Sequence, residues 1–218
     1  MITIDNIIAA SGVHKSKVHN IYLFGSRVYK TYFDDSDWDI IVVANNSVEA
    51  IEIKSGDFNI HIYTPDKFQQ DLDWHTPKNI ECLFAPKCAK LQQKIRFDFN
   101  LNPIKLRHAT LHTSNQSWKK GKSKLSAANY HSGIKSLFHS IRIPIFSTQL
   151  LEFGQIDFLS ANYIWNKLWD TDSDWCHYSD LPSPISYMKS DFSQLEKKFD
   201  KLRRSVTDKF IDTVNQKI

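Results

Sequence analysis

Hydrophobic and polar positions change their period near residue 100 of this 218-residue chain. Before that point the apolar residues come in short runs rich in Ile, Val, Tyr and Phe. These runs predict strands at 21–24, 39–44, 50–54 and 58–64, the last two forming a hairpin across Ser55-Gly56-Asp57. Asn45-Asn46-Ser47 supplies another turn. Helices are expected at about 4–18, at 67–72 behind a Thr64-Pro65-Asp66 start, at 79–84 and from 88 to about 97. Phe99-Asn100-Leu101-Asn102-Pro103 is the best joint between two units, and everything beyond it reads as helical. Helical segments are expected at 124–143, ended by Pro144; at 148–153, stopped by Gly154; and at 157–169. A polar loop with Pro182 follows over 170–183. Phe192, Leu195, Phe199, Leu202, Val206, Phe210 and Val214 then recur at steps of three and four, one long amphipathic helix. The expected class is α+β: a mixed-sheet domain with flanking helices over 1–100, then an all-helical domain over 101–218 that completes a cleft. Ligand sites often form at such junctions.

Composition narrows the function classes. Six Trp, eight Tyr and fourteen Phe supply a real core and exclude general disorder. No apolar run approaches a membrane span, and Met1-Ile2-Thr3-Ile4-Asp5 lacks the basic start of a signal peptide, so a cytoplasmic, membrane-free protein is expected. Cys82, Cys88 and Cys176 are odd in number and form no CxxC pair, which predicts three reduced thiols, no disulfide partner and no zinc site. The net charge of +4 conceals an asymmetry. Between Asp98 and Glu152 there is no acid, while Lys105, Arg107, Lys119, Lys120, Lys122, Lys124, Lys135 and Arg142 all fall there. Such a block faces phosphate or polyanion, or else forms a solvated helix face.

The candidate chemistry lies at Tyr22-Leu23-Phe24-Gly25-Ser26-Arg27 and Ser36-Asp37-Trp38-Asp39-Ile40. The pattern is strand, Gly-Ser turn, strand. Asp37 and Asp39 are spaced i, i+2 and so point to one face. Two carboxylates at a strand start hold Mg²⁺, a hard cation that takes further oxygens from substrate phosphates. The Gly-Ser turn can donate backbone N–H groups to those phosphates. The plain alternative is a polar turn opening a strand. Arg27 reads equally as a phosphate contact or a surface ion pair, and His139 and Arg142, sharing a helix face, as ligand contacts or a polar pair.

These residues resemble the signature of the polymerase-β-like nucleotidyltransferase superfamily: hydrophobic-Gly-Ser, a gap, then Asp-x-Asp opening the next strand. Gly25-Ser26-Arg27-Val28-Tyr29, Asn79-Ile80-Glu81-Cys82-Leu83, the 135–142 stretch Lys-Ser-Leu-Phe-His-Ser-Ile-Arg and Leu151-Glu152-Phe153-Gly154 are similar to bacterial and phage nucleotidyltransferases of that group. The resemblance implies a nucleotidyltransferase-like fold and transfer of a nucleoside monophosphate from an NTP, with ATP as the first candidate, to an acceptor hydroxyl. The acceptor would be RNA, a protein side chain or another phosphate-rich or small molecule. Asp37 and Asp39 would hold Mg²⁺ or Mn²⁺. Gly25, Ser26 and Arg27 would contact the phosphates, with Lys119, Lys120, Lys124, His139 or Arg142 from the helical half. Glu81 would brace the site.

The family's third carboxylate falls here on Asn59, which can accept a hydrogen bond but brings no charge. His61, two residues on along the same face, is a candidate base. Lys30 also stands where many members have glycine. The alternative function is therefore a catalytically impaired nucleotide- or nucleic-acid-binding module of the same fold. Gly121-Lys122-Ser123 is not a phosphate loop, because Gln116 stands where its first glycine belongs and no strand precedes it. Arg107 and His112 match an R-x₄-H spacing that arises readily by chance in so basic a segment. Trp165, Trp169 and Trp175 read as core and loop anchors.

Overall fold

The structure is a computed structural model and describes residues 2–32, 36–46, 48–169 and 185–218. Asp34 and Asp35, the loop expected over 170–183, Cys176 and the side chains of Trp169, Trp175, Phe192 and Leu195 lie outside the described parts.

Five strands form one mixed sheet: β1 (Val18–Phe24), β2 (Trp38–Ala44), β3 (Ala50–Ser55), β4 (Phe58–Tyr63) and β5 (Lys90–Gln93), in the order β3-β4-β2-β1-β5. β2 and β4 run parallel, and the other neighbouring pairs are antiparallel. The helices are α1 (Ile4–Ser11), α2 (Ser26–Tyr29), α3 (Pro65–Asp73), α4 (Pro77–Phe84), α5 (Pro103–Ser126), α6 (Tyr130–Phe153), α7 (Leu159–Trp169) and α8 (Ile185–Asn215).

Strand alternation divides the sheet into two apolar faces. Ile21, Ile40, Val42, Ile60 and Ile62 pack under Ile7 and Ile8 of α1. The opposite face carries Tyr22, Ile41, Val43 and Tyr63, which pack against Phe68, Leu72 and Ile80. That cluster continues past residue 100 to Leu106, Leu150 and Phe210, so one core joins the sheet to the later helices. By the same alternation Asp39, Asn59 and His61 share the face turned toward those helices.

Four local expectations change. The first helix stops at Ser11, capped by Gly12 at φ 66°, and β1 starts at Val18. The helix expected over 88–97 is instead a short 3₁₀ turn followed by β5, which extends the sheet at β1. Asn20 causes this: its Oδ1 accepts from the N–H groups of Lys94 and Ile95 at 2.9 and 3.1 Å, and its Nδ2 donates to the Ile95 carbonyl. The single helix expected over 124–143 is divided: α5 starts at Pro103, where the Asn102 side chain caps the Lys105 N–H at 3.0 Å, and ends at Ser126, and α6 starts at Tyr130.

The fourth concerns Pro144, which does not end its helix. Proline has no N–H, so the Ser140 carbonyl loses its normal donor. The Ser114 hydroxyl of α5 donates to that carbonyl at 2.6 Å, and α6 runs on to Phe153. α5 and α6 can come this close because their contact uses glycine. A Cβ on Gly121 would sit 2.6 Å from Leu137, and one on Gly133 would sit 2.5 Å from Leu125. Gly121 therefore has a packing role in a helix, not a phosphate-loop role.

Cys82 and Cys88 are free thiols. Among the described residues no helix is long and apolar enough to cross a membrane.

Candidate active site

Gly25 ends β1 in a conformation, φ 77° and ψ −161°, that a side chain rarely adopts. This turns the chain directly into α2. It also lets the Asp39 carboxylate lie on the glycine backbone, since a Cβ there would fall 2.9 Å from Asp39 Cγ. Sheet register completes the arrangement. Phe24 pairs with Asp39 on one side, and Asp39 pairs with Asn59 on the other. Gly25, Asp39 and Asn59 thus meet at one end of adjacent strands.

Asn59 Nδ2 donates to Asp39 Oδ1 at 3.0 Å. Burial pushes the Asp39 carboxyl above its ordinary range, and the Asp37 and Glu52 charges add to this, while Asn59 and Lys135 act against it. The Asn59 Oδ1 atom is buried with no partner. Asp37 is exposed, with Lys54 at 3.9 Å.

The loop bearing Asp37 is anchored through Ser36. Arg27 donates to the Ser36 carbonyl from Nε at 3.2 Å and Nη2 at 2.5 Å. Its guanidinium lies 4.2 Å from the Trp38 ring and 5.0 Å from Tyr32. The Arg27 donors on this side are therefore committed to holding the loop. Lys135 reaches the Ser36 hydroxyl from α6 at 3.2 Å.

His61 lies beside Phe24, with 5.5 Å between ring centres. Lys78 lies over Phe24 at 5.8 Å and Tyr63 at 5.1 Å. Burial first, and then the Lys78 charge, lower the His61 imidazole to about 4, so it is neutral at physiological pH.

On the helical side, Lys120, Lys124 and Lys135 are near enough for their charges to act on His139. Lys119 is exposed on α5 and is not among the cations acting on His139 or Asp39. Arg142 is placed differently from a surface phosphate contact. Its Nη1 donates to Glu81 Oε1 at 2.6 Å, with the two side chains only 6% and 4% exposed. The Tyr29 hydroxyl donates to Glu81 Oε2. Glu81 thereby ties the helix after the Gly-Ser turn to α6, and this is the physical content of the brace expected from the sequence.

The structure thus brings Gly25, Ser26, Arg27, Asp37, Asp39, Asn59 and His61 together. It places Lys120 and His139 on the neighbouring helices and buries Arg142. Lys135 and Ser36 lie within motifs noted in the sequence, but sequence reasoning gave neither a role at this end of the sheet. The available signal was that Lys135 sits one helical turn before His139 in the acid-free block.

Among the described residues no group of three His, Cys, Asp or Glu forms a metal site. Two carboxylates beside one unpartnered amide oxygen fit a single divalent cation that shares its remaining oxygens with substrate phosphate. They do not supply the third acid of a two-metal arrangement.

The family model described as polymerase beta, nucleotidyltransferase matches residues 6–116, a span that contains the whole strand–turn–strand unit. No curated protein sequence matches the chain. Among solved structures, a nucleotidyltransferase-like protein from Exiguobacterium sibiricum is similar over 98% of this chain and 79% of its own, at 10% identity and a TM-score of 0.38.

Proposed function

Starting from a chain that belongs to the polymerase-β nucleotidyltransferase family, we propose that it binds a nucleoside triphosphate, ATP first among them, and transfers the nucleoside monophosphate to an acceptor hydroxyl with release of pyrophosphate. One observation carries this reading: the lateral meeting of Gly25, Asp39 and Asn59, with the Lys135 charge acting on Asp39 from the facing helix.

Each residue has a defined part. The Gly25-Ser26 turn receives phosphate oxygens on the N–H groups that the start of α2 leaves outside the helix ladder. Arg27 fixes the Ser36 carbonyl and with it the position of Asp37. Asp37 and Asp39 would hold Mg²⁺ or Mn²⁺, which when bound neutralises phosphate charge and aligns the reacting oxygens. Lys135 offsets charge on the departing pyrophosphate. His61, neutral and on the same face two residues from Asn59, accepts the acceptor's proton. A neutral base here compensates for the carboxylate that Asn59 does not supply.

The second reading, a binding module without turnover, is favoured by Asn59 itself. An amide neither carries charge nor takes a proton. Incubation with each α-³²P-labelled NTP, Mn²⁺ and total RNA, protein or metabolite extract separates the two. Label transferred by the wild type and lost in Asp37→Ala/Asp39→Ala supports the enzyme, and the labelled fraction identifies the acceptor class. Transfer that persists in the double variant removes the metal-pair assignment. Tight NTP binding without transfer to any fraction selects the binding module.

A further inference from the structure

One flank of α5 carries an open groove against α8. Asn115, Trp118 and Lys122 follow at steps of three and four and so share a face of α5. At ~100° per residue, Lys120 and Lys124 fall on the other side of the same helix. Trp118 and Phe199 belong to one buried cluster, which fixes the two helices against each other here. The groove between them holds about 600 Å³, the size of a small-molecule site.

Its central group is Arg203 of α8. The guanidinium is held over the Trp118 ring at 5.2 Å, and Nη2 donates to Asn115 Oδ1. Its Nε is buried and, among the described residues, has no partner. Asp200, the acid whose charge acts on Arg203, is already paired with Arg204 at 2.7 Å. Burial holds the guanidinium below its ordinary value, Asp200 acts against this and Arg204 adds to it. A neutral amide and an aromatic face thus orient a partly desolvated cation that has no carboxylate of its own. A guanidinium fixed in this way offers a rigid fork of N–H donors to an oxyanion.

The surroundings set the charge of that anion. Lys122 lies over the same Trp118 ring at 5.7 Å. Lys197, Arg204, Glu196 and Asp200 complete the lining, so four cations stand against two carboxylates. Pairing within the groove leaves an excess of two positive charges, which a dianion relieves.

We infer that the α5–α8 groove is a second ligand site, sharing no residue with the Asp37 and Asp39 face, for a small dianion: a phosphate monoester or a dicarboxylate. Arg203 donates to one anionic oxygen pair, and Lys122 and Lys197 balance the remaining charge. Glu196 disfavours ligands more negative than this. Trp118 and Asn115 are positioning residues that aim the guanidinium. The groove is larger than an oxyanion and admits an organic body beside it.

Calorimetry on the full-length protein in EDTA, with inorganic phosphate, O-phosphoserine and succinate as probes, tests the assignment. At least one dianion should bind saturably at 1:1, and the preference between the phosphates and succinate identifies the anionic group. Arg203→Gln should weaken that binding about tenfold or more, because hydrogen bonds to a charged partner are lost. Arg203→Lys, which keeps the charge without the fork, should weaken it at least about threefold. Lys122→Ala, at an exposed position that leaves the fold intact, should weaken it about threefold. Lys120→Ala/Lys124→Ala should bind as the wild type does.

No saturable binding of any of the three probes overturns the inference. So does an affinity in Arg203→Gln and Lys122→Ala within twofold of wild type. A larger loss in Lys120→Ala/Lys124→Ala than in Arg203→Gln puts the anion on the other flank of α5 and equally overturns it. Retention of a single-stranded oligonucleotide that depends on Arg203, with no small dianion bound, rejects the small-ligand site in favour of a nucleic-acid backbone.

Discussion

Replacing Asn59 by aspartate converts a hydrogen bond into a contact between two carboxylates. Asn59 Nδ2 now donates to Asp39 Oδ1 at 3.0 Å, on a carboxyl that burial has already pushed upward. Asn59→Asp removes a hydrogen bond to a charged acceptor worth ~1.5–3 kcal/mol. It also places like charges at that 3.0 Å spacing, a repulsion of up to ~5 kcal/mol at an effective dielectric of ~20. The pair relieves part of this by sharing one proton, as close carboxylates do. A net loss of ~3 kcal/mol at pH 8 follows, which for a chain of this size lowers Tm by roughly 6–12 °C. Mn²⁺ reverses the sign, because the added carboxylate completes a set of oxygen ligands. Thermal melts in EDTA and then in millimolar Mn²⁺ measure both effects. The variant should melt lower than wild type without metal and gain more from Mn²⁺. An unchanged melt in EDTA with no added response to Mn²⁺ refutes the reasoning, since side chain 59 would then not face Asp39.

Other perturbations test the frame around the site. Glu81→Gln leaves the Arg142 guanidinium buried without its counter-charge and should destabilise by ~3–5 kcal/mol in chemical denaturation; a loss below ~1 kcal/mol contradicts the brace. Ser114→Ala should lower stability by ~1–2 kcal/mol, and that loss should shrink in a Pro144→Ala background, where the helix supplies its own donor again. Gly25→Ala forces a side chain into a left-handed backbone and against Asp39, costing ~1–2 kcal/mol and abolishing Mg²⁺–ATP binding while the fold persists by circular dichroism.

Acid should act through the buried histidines. His61 is lowered to about 4 and His139 to about 3, both below the unfolded value of 6.5, so the unfolded chain binds more protons in that interval. Their contribution is complete above pH 6.5 and is lost as pH falls toward 4, at up to ~1.4 kcal/mol per pH unit for the buried His139 and less for the partly solvated His61. Urea titrations between pH 7.5 and pH 5 should show that slope reduced in His139→Gln.

The parts of this fold that were legible in the sequence are those set by local pattern. Alternation placed β2, β3 and β4 within a residue of their ends, and Gly25 with Asp37 and Asp39 marked the candidate site because turn chemistry and side-chain period are local properties. What was missed depends on partners distant in sequence. β5 exists because Asn20 fastens residues 94 and 95, and nothing within 88–97 signals it. Pro144 passes through α6 because Ser114 supplies the missing donor from another helix. Arg142 reads as a surface cation until Glu81 and Tyr29 close around it. Lys135 reaches the candidate site only through its contact from α6 with Ser36.

The face formed by Gly25, Asp37, Asp39 and Asn59 is proposed here as a metal-dependent nucleotide site. Calorimetric titration of ATP into the full-length protein, with Mg²⁺ and then with EDTA, tests it most directly, with Asp37→Ala/Asp39→Ala in parallel. Saturable 1:1 binding is expected with Mg²⁺, weakening at least tenfold in EDTA and in the double variant. Equal affinity with and without the two carboxylates would contradict it.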